Sequence, residues 1–167
     1  MNAMAVTRQA ELYQCRVRLT AEPTAPGHAR ARVRQVIRDW DVPVDEDVAM
    51  LLTSDLVTHA IRADSGGSIT LVIRCLAAKS GRPAERVPRL RIEVHDSSRS
   101  RLGSADAPSE GVAAEGVLAA VGSLSAEWGS YRTPAGLAWF FTLAFMPDLA
   151  VGADRDPQGN SRGDGEA

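Results

Sequence analysis

An acidic side chain and an imidazole stand one helical turn apart in the segment 51–67. Asp55 and His59 are four residues apart, so on a helix both project from neighbouring points of its surface. Such a pair can hold a cation, move a proton, or lie on the solvated flank of a helix, where it contributes only about 0.2–0.5 kcal/mol. Spacing alone favours the solvated flank, so the surrounding segments must supply any further argument.

The segment that carries the pair has the periodicity of an amphipathic helix. Its predicted buried face has apolar residues three to four apart, namely Val48, Leu51, Leu52 and Leu56. Asp45 is the predicted N-cap, because its short carboxylate can accept from the first free backbone N–H groups. Gly66 and Gly67 are predicted to close the helix before a strand that starts at Ser68.

Three helices and five strands are predicted in the order β-α-α-β-β-loop-α-β-β. The inward positions expected of the first three strands are Tyr13, Cys15, Val17 and Leu19, then Ile69, Leu71, Ile73 and Cys75, then Leu90, Ile92 and Val94. A first helix is expected over 26–40, ending at Asp41-Val42-Pro43 because the residue before a proline avoids the helical region. A later helix is expected to align Val117, Val121, Leu124 and Trp128, ahead of a hairpin over 130–145 with its turn at 133–136.

This order predicts a two-layer α/β sandwich, with a mixed, mostly antiparallel sheet and helices on one face. A single domain is expected over 10–147 of the 167 residues, with flexible tails at 1–9 and 148–167. The segment 77–88 is interpreted as an enlarged hairpin loop, and 97–112 as a long loop that is either a functional lid or disordered.

Composition narrows the function classes. The net charge of −2 gives no electrostatic argument for direct nucleic-acid binding. The arginines at 30, 32, 34 and 38 are expected to form a solvated helix face. The cysteines have no zinc spacing. No apolar run approaches the ~20 residues of a membrane span, and no secretory signal is evident, so a cytoplasmic location is expected.

Four segments resemble the anti-sigma-factor serine kinase family, whose Bergerat-type (GHKL) ATP-binding fold also occurs in histidine kinases and gyrase. Residues 54–60 read Ser-Asp-Leu-Val-Thr-His-Ala, similar to the family's S-E-L-V-T-N-A helix motif. Residues 94–96 match its strand-end aspartate, and 114–117 match its G-x-G-L motif in part. Residues 136–140 resemble the aromatic strand that follows a glycine turn.

The resemblance implies a role for each matched residue. Asp55 would stand for the family's glutamate, a general base or water-orienting group. His59 would stand for the asparagine that holds Mg²⁺ on the triphosphate. Asp96 would accept a hydrogen bond from the adenine amino group, and Gly116 and Val117 would begin a helix at the phosphates.

The same alignment shows departures in the nucleotide site. Asp55 is one methylene shorter than glutamate, and the imidazole of His59 is a poorer Mg²⁺ ligand than an oxygen donor. Ala114 replaces the first glycine of the third motif, and Leu137 replaces a threonine that supports the adenine aspartate. We therefore expect nucleotide binding to be weakened.

Two functions follow from the resemblance. One is an ATP- and Mg²⁺-dependent regulator that phosphorylates an anti-sigma antagonist or sequesters a sigma factor; dimers are also common in this family. The other is an interaction module of the same fold that binds nucleotide weakly or not at all. A metal or hydrolase site built from Asp55, His59, His95 and Asp96 is disfavoured, because successive strand residues point to opposite faces.

Overall fold

The fold is that of a computed structural model, which describes residues 10–63, 67–78, 86–96 and 119–146. The elements in chain order are β1 (Glu11–Thr20), α1 (Ala25–Asp39), α2 (Glu46–Ala63), β2 (Ser68–Leu76), β3 (Arg89–Asp96), α3 (Ala119–Leu124), β4 (Glu127–Thr133) and β5 (Gly136–Ala144). The predicted order of elements is confirmed.

The five strands form one sheet in the order β1-β2-β3-β5-β4. All four pairings in the described part of the chain are antiparallel, so the sheet there is not mixed as expected. Alternate strand residues face the helices and join their apolar sides in one core, which includes Ile69, Leu71, Ile73, Leu90, Ile92 and Val94. The two-layer α/β sandwich is therefore confirmed.

The helices lie side by side over the sheet. The first, α1, contacts β1 and β2, whereas α2 contacts β3 and β5. The short α3 contacts α2 and β4, and its Val121 is fully buried. This arrangement leaves the far side of α2, the side away from α1, facing α3.

Several predicted inward positions are wrong. Leu51 is 47% exposed, because the buried side of α2 is centred on Leu52, Leu56 and Ala60 rather than on the flank beside them. Tyr13 does lie on the helix side of the edge strand β1, where its ring stacks on Trp40 with centroids 5.4 Å apart, but it is 53% exposed. In the third helix, Leu124 is 47% exposed and Trp128 belongs to β4, since the helix ends at Leu124. Gly66, Val117 and most of the loops 77–88 and 97–112 fall outside the described residues.

A left-handed residue ends α1 two positions before the proline. Asp41 has φ 50°. Its N–H donates to the Arg38 carbonyl at 3.2 Å, and the N–H of Val42 donates to the Ile37 carbonyl at 3.0 Å. These are the paired bonds of a Schellman motif, in which glycine is the usual left-handed residue. The helix therefore ends through its own backbone geometry, before the influence of Pro43 applies.

Three of the arginines of α1, Arg30, Arg34 and Arg38, are exposed as expected of a solvated face, but they also bind neighbouring elements. Arg30 donates to the Ser54 hydroxyl at 2.8 Å, and Arg38 forms two 3.0 Å bonds with the Glu46 carboxylate. Both acceptors belong to α2. Arg32 donates to the Cys15 sulfur in β1 at 3.2 Å. The predicted solvated face is thus largely used to join α1 to its neighbours.

The face of the sheet that points away from the helices, here called the open face, contains a buried carboxylate. Glu93 is only 1% exposed. Its carboxylate is bound by Arg74 of β2, by Arg91 at 2.6 Å and by His95 at 2.7 Å. The Tyr131 hydroxyl donates to it at 2.8 Å. Every group around this carboxylate is a donor, as burial of a charge requires.

The Tyr131–Glu93 bond crosses an intervening strand. Tyr131 lies on β4 and Glu93 on β3, with β5 between them. The β5 residue paired with both Tyr131 and His95 is Ala138, which is fully buried. A methyl group leaves room for the two rings, whose centroids are 6.1 Å apart. A larger residue at this position would hold the hydroxyl away from the carboxylate.

Replacing Asp41 with glycine should raise the free energy of unfolding by roughly 0.5 kcal/mol. The left-handed conformation costs an L-residue about 1–2 kcal/mol, and the added flexibility of glycine in the unfolded chain takes back about 0.4–1 kcal/mol. Urea denaturation measures the change. Asp39→Gly is the matched control at the last, right-handed residue of the helix and should lower stability by up to about 1 kcal/mol. Equal losses in both variants would contradict the left-handed assignment.

Replacing Glu93 with glutamine should lower the free energy of unfolding at neutral pH by roughly 2–4 kcal/mol, because Arg74 and Arg91 lose their shared anion. Burial alone would raise the pKa of Glu93, but the bonds from His95, Arg91 and Tyr131 outweigh it and hold that pKa far below its usual range.

A lowered carboxyl pKa stabilises the fold above the unfolded-state value, about 4.3, and this contribution is lost as pH falls below it. Urea titrations at neutral and acidic pH should therefore show that acidification lowers the free energy of unfolding less in Glu93→Gln than in the parent chain. Glu127→Gln is the control, because its partly exposed pair with Arg89 contributes no more than about 1 kcal/mol. If acidification lowered the free energy of unfolding equally in Glu93→Gln and in the parent chain, the stabilising role of the Glu93 carboxylate would be refuted.

Candidate functional site

The helix α2 begins at the predicted cap. The Asp45 carboxylate accepts from the backbone N–H groups of Asp47 at 2.9 Å and Val48 at 3.1 Å. The side of α2 that faces the sheet is almost fully buried and comprises Ala49, Leu52, Thr53, Leu56, Val57 and Ala60. Successive side chains of a helix are about 100° apart around its axis. Because the sheet-facing side of α2 is known, this spacing places Asp55 and His59 on the side of α2 that points away from α1.

His59 lies against an aromatic residue of the sheet. Its ring centroid is 4.7 Å from that of Trp139, and the planes meet at 77° in an edge-to-face contact. Trp139 is 4% exposed on the helix side of β5. The imidazole is therefore half-buried over the β3–β5 part of the sheet, rather than on a solvated flank.

Asp96 is the last residue of β3 and is only 3% exposed. It pairs with Ile69 on one side and with Leu137 on the other. It points to the helix side, like Val94 two residues earlier, and Val94 pairs with Trp139. Two strand residues span about 7 Å, so Asp96 lies one step beyond the Trp139 ring, towards the end of the sheet where α2 finishes.

Asp55 occupies the same flank, one helical turn or about 6 Å before His59. It is half-buried, and this burial raises the pKa of its carboxyl above the ordinary value. A carboxylate with a raised pKa is better matched to proton transfer near neutral pH than a fully solvated one. The structure thus brings Asp55, His59 and Asp96 to the same side of the sheet, along α2 and towards its C-terminal end.

The remaining predicted site residues, Gly116 and Val117, lie outside the described part of the chain, as does Ala114. The described chain resumes at Ala119, where α3 starts and contacts α2. Leu137 stands beside Asp96, where the family places threonine. It packs against the core and supplies no hydroxyl to that carboxylate.

The four-residue metal or hydrolase site is ruled out by the placement of His95. Its Nε2 lies 2.7 Å from the Glu93 carboxylate on the open face, opposite Asp96. Among residues 10–63, 67–78, 86–96 and 119–146, no group of three or more His, Cys, Asp or Glu side chains is arranged to hold a metal ion.

Comparison of the chain with protein-family models finds no match, and comparison with curated protein sequences also finds none. None of the helices described here is long and apolar enough to cross a membrane.

The sequence does not single out Trp139, beside the site, or Glu93, on the open face. Trp139 falls in the predicted aromatic strand, and its alternation with Leu137 and Phe141 could have placed it on the helix side. The role of Glu93 had no such signal, because alternation identifies only a polar outward position.

Replacing Asp55 with asparagine should raise the free energy of unfolding at neutral pH. A raised carboxyl pKa means that the folded state holds the proton more tightly, so ionisation above that pKa destabilises the fold. The gain should shrink as pH falls through the pKa of Asp55. Thermal unfolding over this range tests the sign. Asp47→Asn, on an exposed position at the same helix, is the control; a gain independent of pH would contradict the account.

Proposed function

We propose that the chain is an ATP-binding regulatory protein similar to anti-sigma-factor serine/threonine kinases, acting in the cytoplasm in transcriptional control through a partner protein. The partner would be a sigma factor or its antagonist. The observation that carries the proposal is Asp96, a 3% exposed carboxylate at a strand end, on the helix side of the sheet and beside the flank of α2.

A carboxylate in this position suits adenine recognition. The backbone of Asp96 is paired with strands on both sides, so its position and the side of the sheet that it faces are set before a ligand arrives. An ionised carboxylate only accepts hydrogen bonds, and the exocyclic amine of adenine only donates. Guanine has a carbonyl oxygen at the corresponding position, which would face the carboxylate without a proton between them. The site should therefore prefer ATP to GTP.

The metal-binding role implied for His59 does not fit the structure. Mg²⁺ prefers oxygen ligands in octahedral geometry, whereas His59 offers a ring nitrogen and its ring packs edge-to-face on Trp139. Asp55 remains suited to take a proton from a hydroxyl group of a bound partner, since it is half-buried on the same flank of α2 and this burial raises its pKa above the ordinary value.

The second candidate function is an interaction module that regulates its partner by binding alone. Two observations favour it over a kinase: the imidazole of His59 contacts Trp139, and Leu137 gives Asp96 an apolar neighbour. Both changes remove polar groups that a nucleotide site would use. Under this alternative the fold and the class of partner protein are the same, and only nucleotide-dependent phosphorylation is lost.

Titration calorimetry with ATP, in the presence and absence of Mg²⁺, separates the two functions. Heat on ATP addition that is largely independent of Mg²⁺ would support nucleotide binding by a site in which His59 replaces the family's metal-binding asparagine. The absence of heat at millimolar ATP would leave the interaction module. The variant Asp55→Glu/His59→Asn restores the family's residues, and its gain of Mg²⁺ dependence would show that the scaffold lacked only those ligands.

Asp96→Asn should weaken ATP binding by about tenfold or more and reduce the preference for ATP over GTP, because the amide no longer presents only acceptors to the amine. Calorimetry with both nucleotides measures the two effects. Asp47→Asn, an exposed change of the same chemistry, should leave both affinities unaltered. Equal ATP affinity for Asp96→Asn and the parent chain would remove Asp96 from the adenine site.

A further inference from the structure

The open face of the sheet is arranged in rows that cross all five strands. One row runs Arg16, Val72, Glu93, Phe140 and Gly129, and the next runs Arg18, Thr70, His95, Ala138 and Tyr131. The middle of each row is buried, because Val72 and Ala138 are fully covered and Glu93 is 1% exposed. The exposed side chains lie at the edges, with arginines on β1 and Tyr131 on β4.

Positive charge is concentrated on this face. Its described ionised side chains are five arginines, Arg16, Arg18, Arg74, Arg89 and Arg91, against three glutamates, Glu11, Glu93 and Glu127. In contrast, residues 25–63, which form α1, α2 and their connection, have five arginines and six acidic residues. The two sides of the sandwich therefore differ in the sign of their charge.

The positive charge that is not neutralised lies on β1. Arg74 and Arg91 share the Glu93 carboxylate, and Arg89 pairs with Glu127. Arg18 donates to the neutral Ser68 hydroxyl at 2.9 and 3.1 Å, and Arg16 makes no hydrogen bond or ion pair with the described residues.

We propose that the open face docks an acidic segment of a partner protein, with Arg16 and Arg18 as its charged anchors. The inference deepens the proposed function, because it rests on action through a partner, but it does not require nucleotide binding. The contact surface then lies on the open face rather than on α1, whose arginines already bind Ser54, Glu46 and Cys15.

A protein segment fits this face better than a nucleic acid. Single-stranded nucleic acids bind by stacking bases on open aromatic faces, alongside basic groups that contact phosphates. Here the guanidinium of Arg91 lies 3.6 Å above the Phe140 ring, and Tyr131 meets the His95 ring at 89°. With these rings engaged, the face offers charge and hydrogen-bond donors, which match aspartate and glutamate side chains.

The test uses the full chain and a fluorescein-labelled polyglutamate peptide, with an oligothymidine of similar charge as the second probe. Fluorescence anisotropy is measured at low and at physiological ionic strength. Arg16→Gln/Arg18→Gln is compared with Arg34→Gln/Arg62→Gln, which removes the same charge from the helix layer. Peptide affinity should fall about tenfold or more in the first variant and little in the second.

Three results would overturn the proposal: equal losses in both variants, no binding of the peptide, or tighter binding of oligothymidine than of polyglutamate. An unchanged affinity in Arg16→Gln/Arg18→Gln would mean that these arginines only protect the edge strand from pairing. ATP calorimetry on the same variant keeps the two hypotheses apart. If the peptide does not bind but ATP gives normal heats, only the docking surface is refuted. If the peptide binds normally but ATP does not bind, only the nucleotide site is refuted.

Discussion

Burial of one side of α2 fixes the orientation of every candidate site residue that this helix carries. Leu52, Leu56, Val57 and Ala60 are each no more than 1% exposed, and each large apolar side chain contributes roughly 1.5–3 kcal/mol when buried. Rotation of the helix about its axis would expose part of this surface. The apolar contacts of α2 therefore hold His59 against Trp139 and keep Asp55 on the same flank, one helical turn away.

Strand alternation predicted the sheet well because the inner strands β2 and β3 have unbroken apolar periods. The inward residues of β2 and β3 were correctly identified, and so was the Asp45 cap, whose chemistry is local. The prediction for Leu51 was wrong because Leu51 and Leu52 are only 100° apart around the helix axis. The spacing of apolar residues does not show which of the two faces the core. Trp128 was misplaced because the helix-to-strand change at Ser125 leaves no break in the apolar spacing.

The groups that sequence did not reveal depend on contacts between distant residues. Glu93 looks like an ordinary outward glutamate in its strand, and its burial arises from side chains on β2, β3 and β4. Likewise, no signal in Asp41 itself indicates a left-handed backbone, since aspartate adopts that conformation less often than glycine. The pair Asp55 and His59 was found from spacing, but its half-buried setting needed the position of Trp139.

The strand β3 alternates between the two sides of the molecule, with Asp96 and Val94 towards the helices and His95 and Glu93 away from them. A nucleotide at the helix side and a partner on the open face would therefore contact the same strand from opposite directions. Each site has its own layer of side chains, so a substitution on one face leaves the other face's contacts in place.

The bond from Tyr131 across β5 also sets the alignment of the β4–β5 hairpin. A slip by a single residue would turn the apolar side of β5 to solvent, which every half-buried strand resists. A slip by two residues preserves the apolar side and is normally harder to reject. Here it would move Ala138 from beneath the tyrosine ring and leave the Glu93 carboxylate without one of its donors. The polar cluster around Glu93 thus favours the native register of the β4–β5 hairpin over a register shifted by two residues, which the apolar side of β5 alone would tolerate.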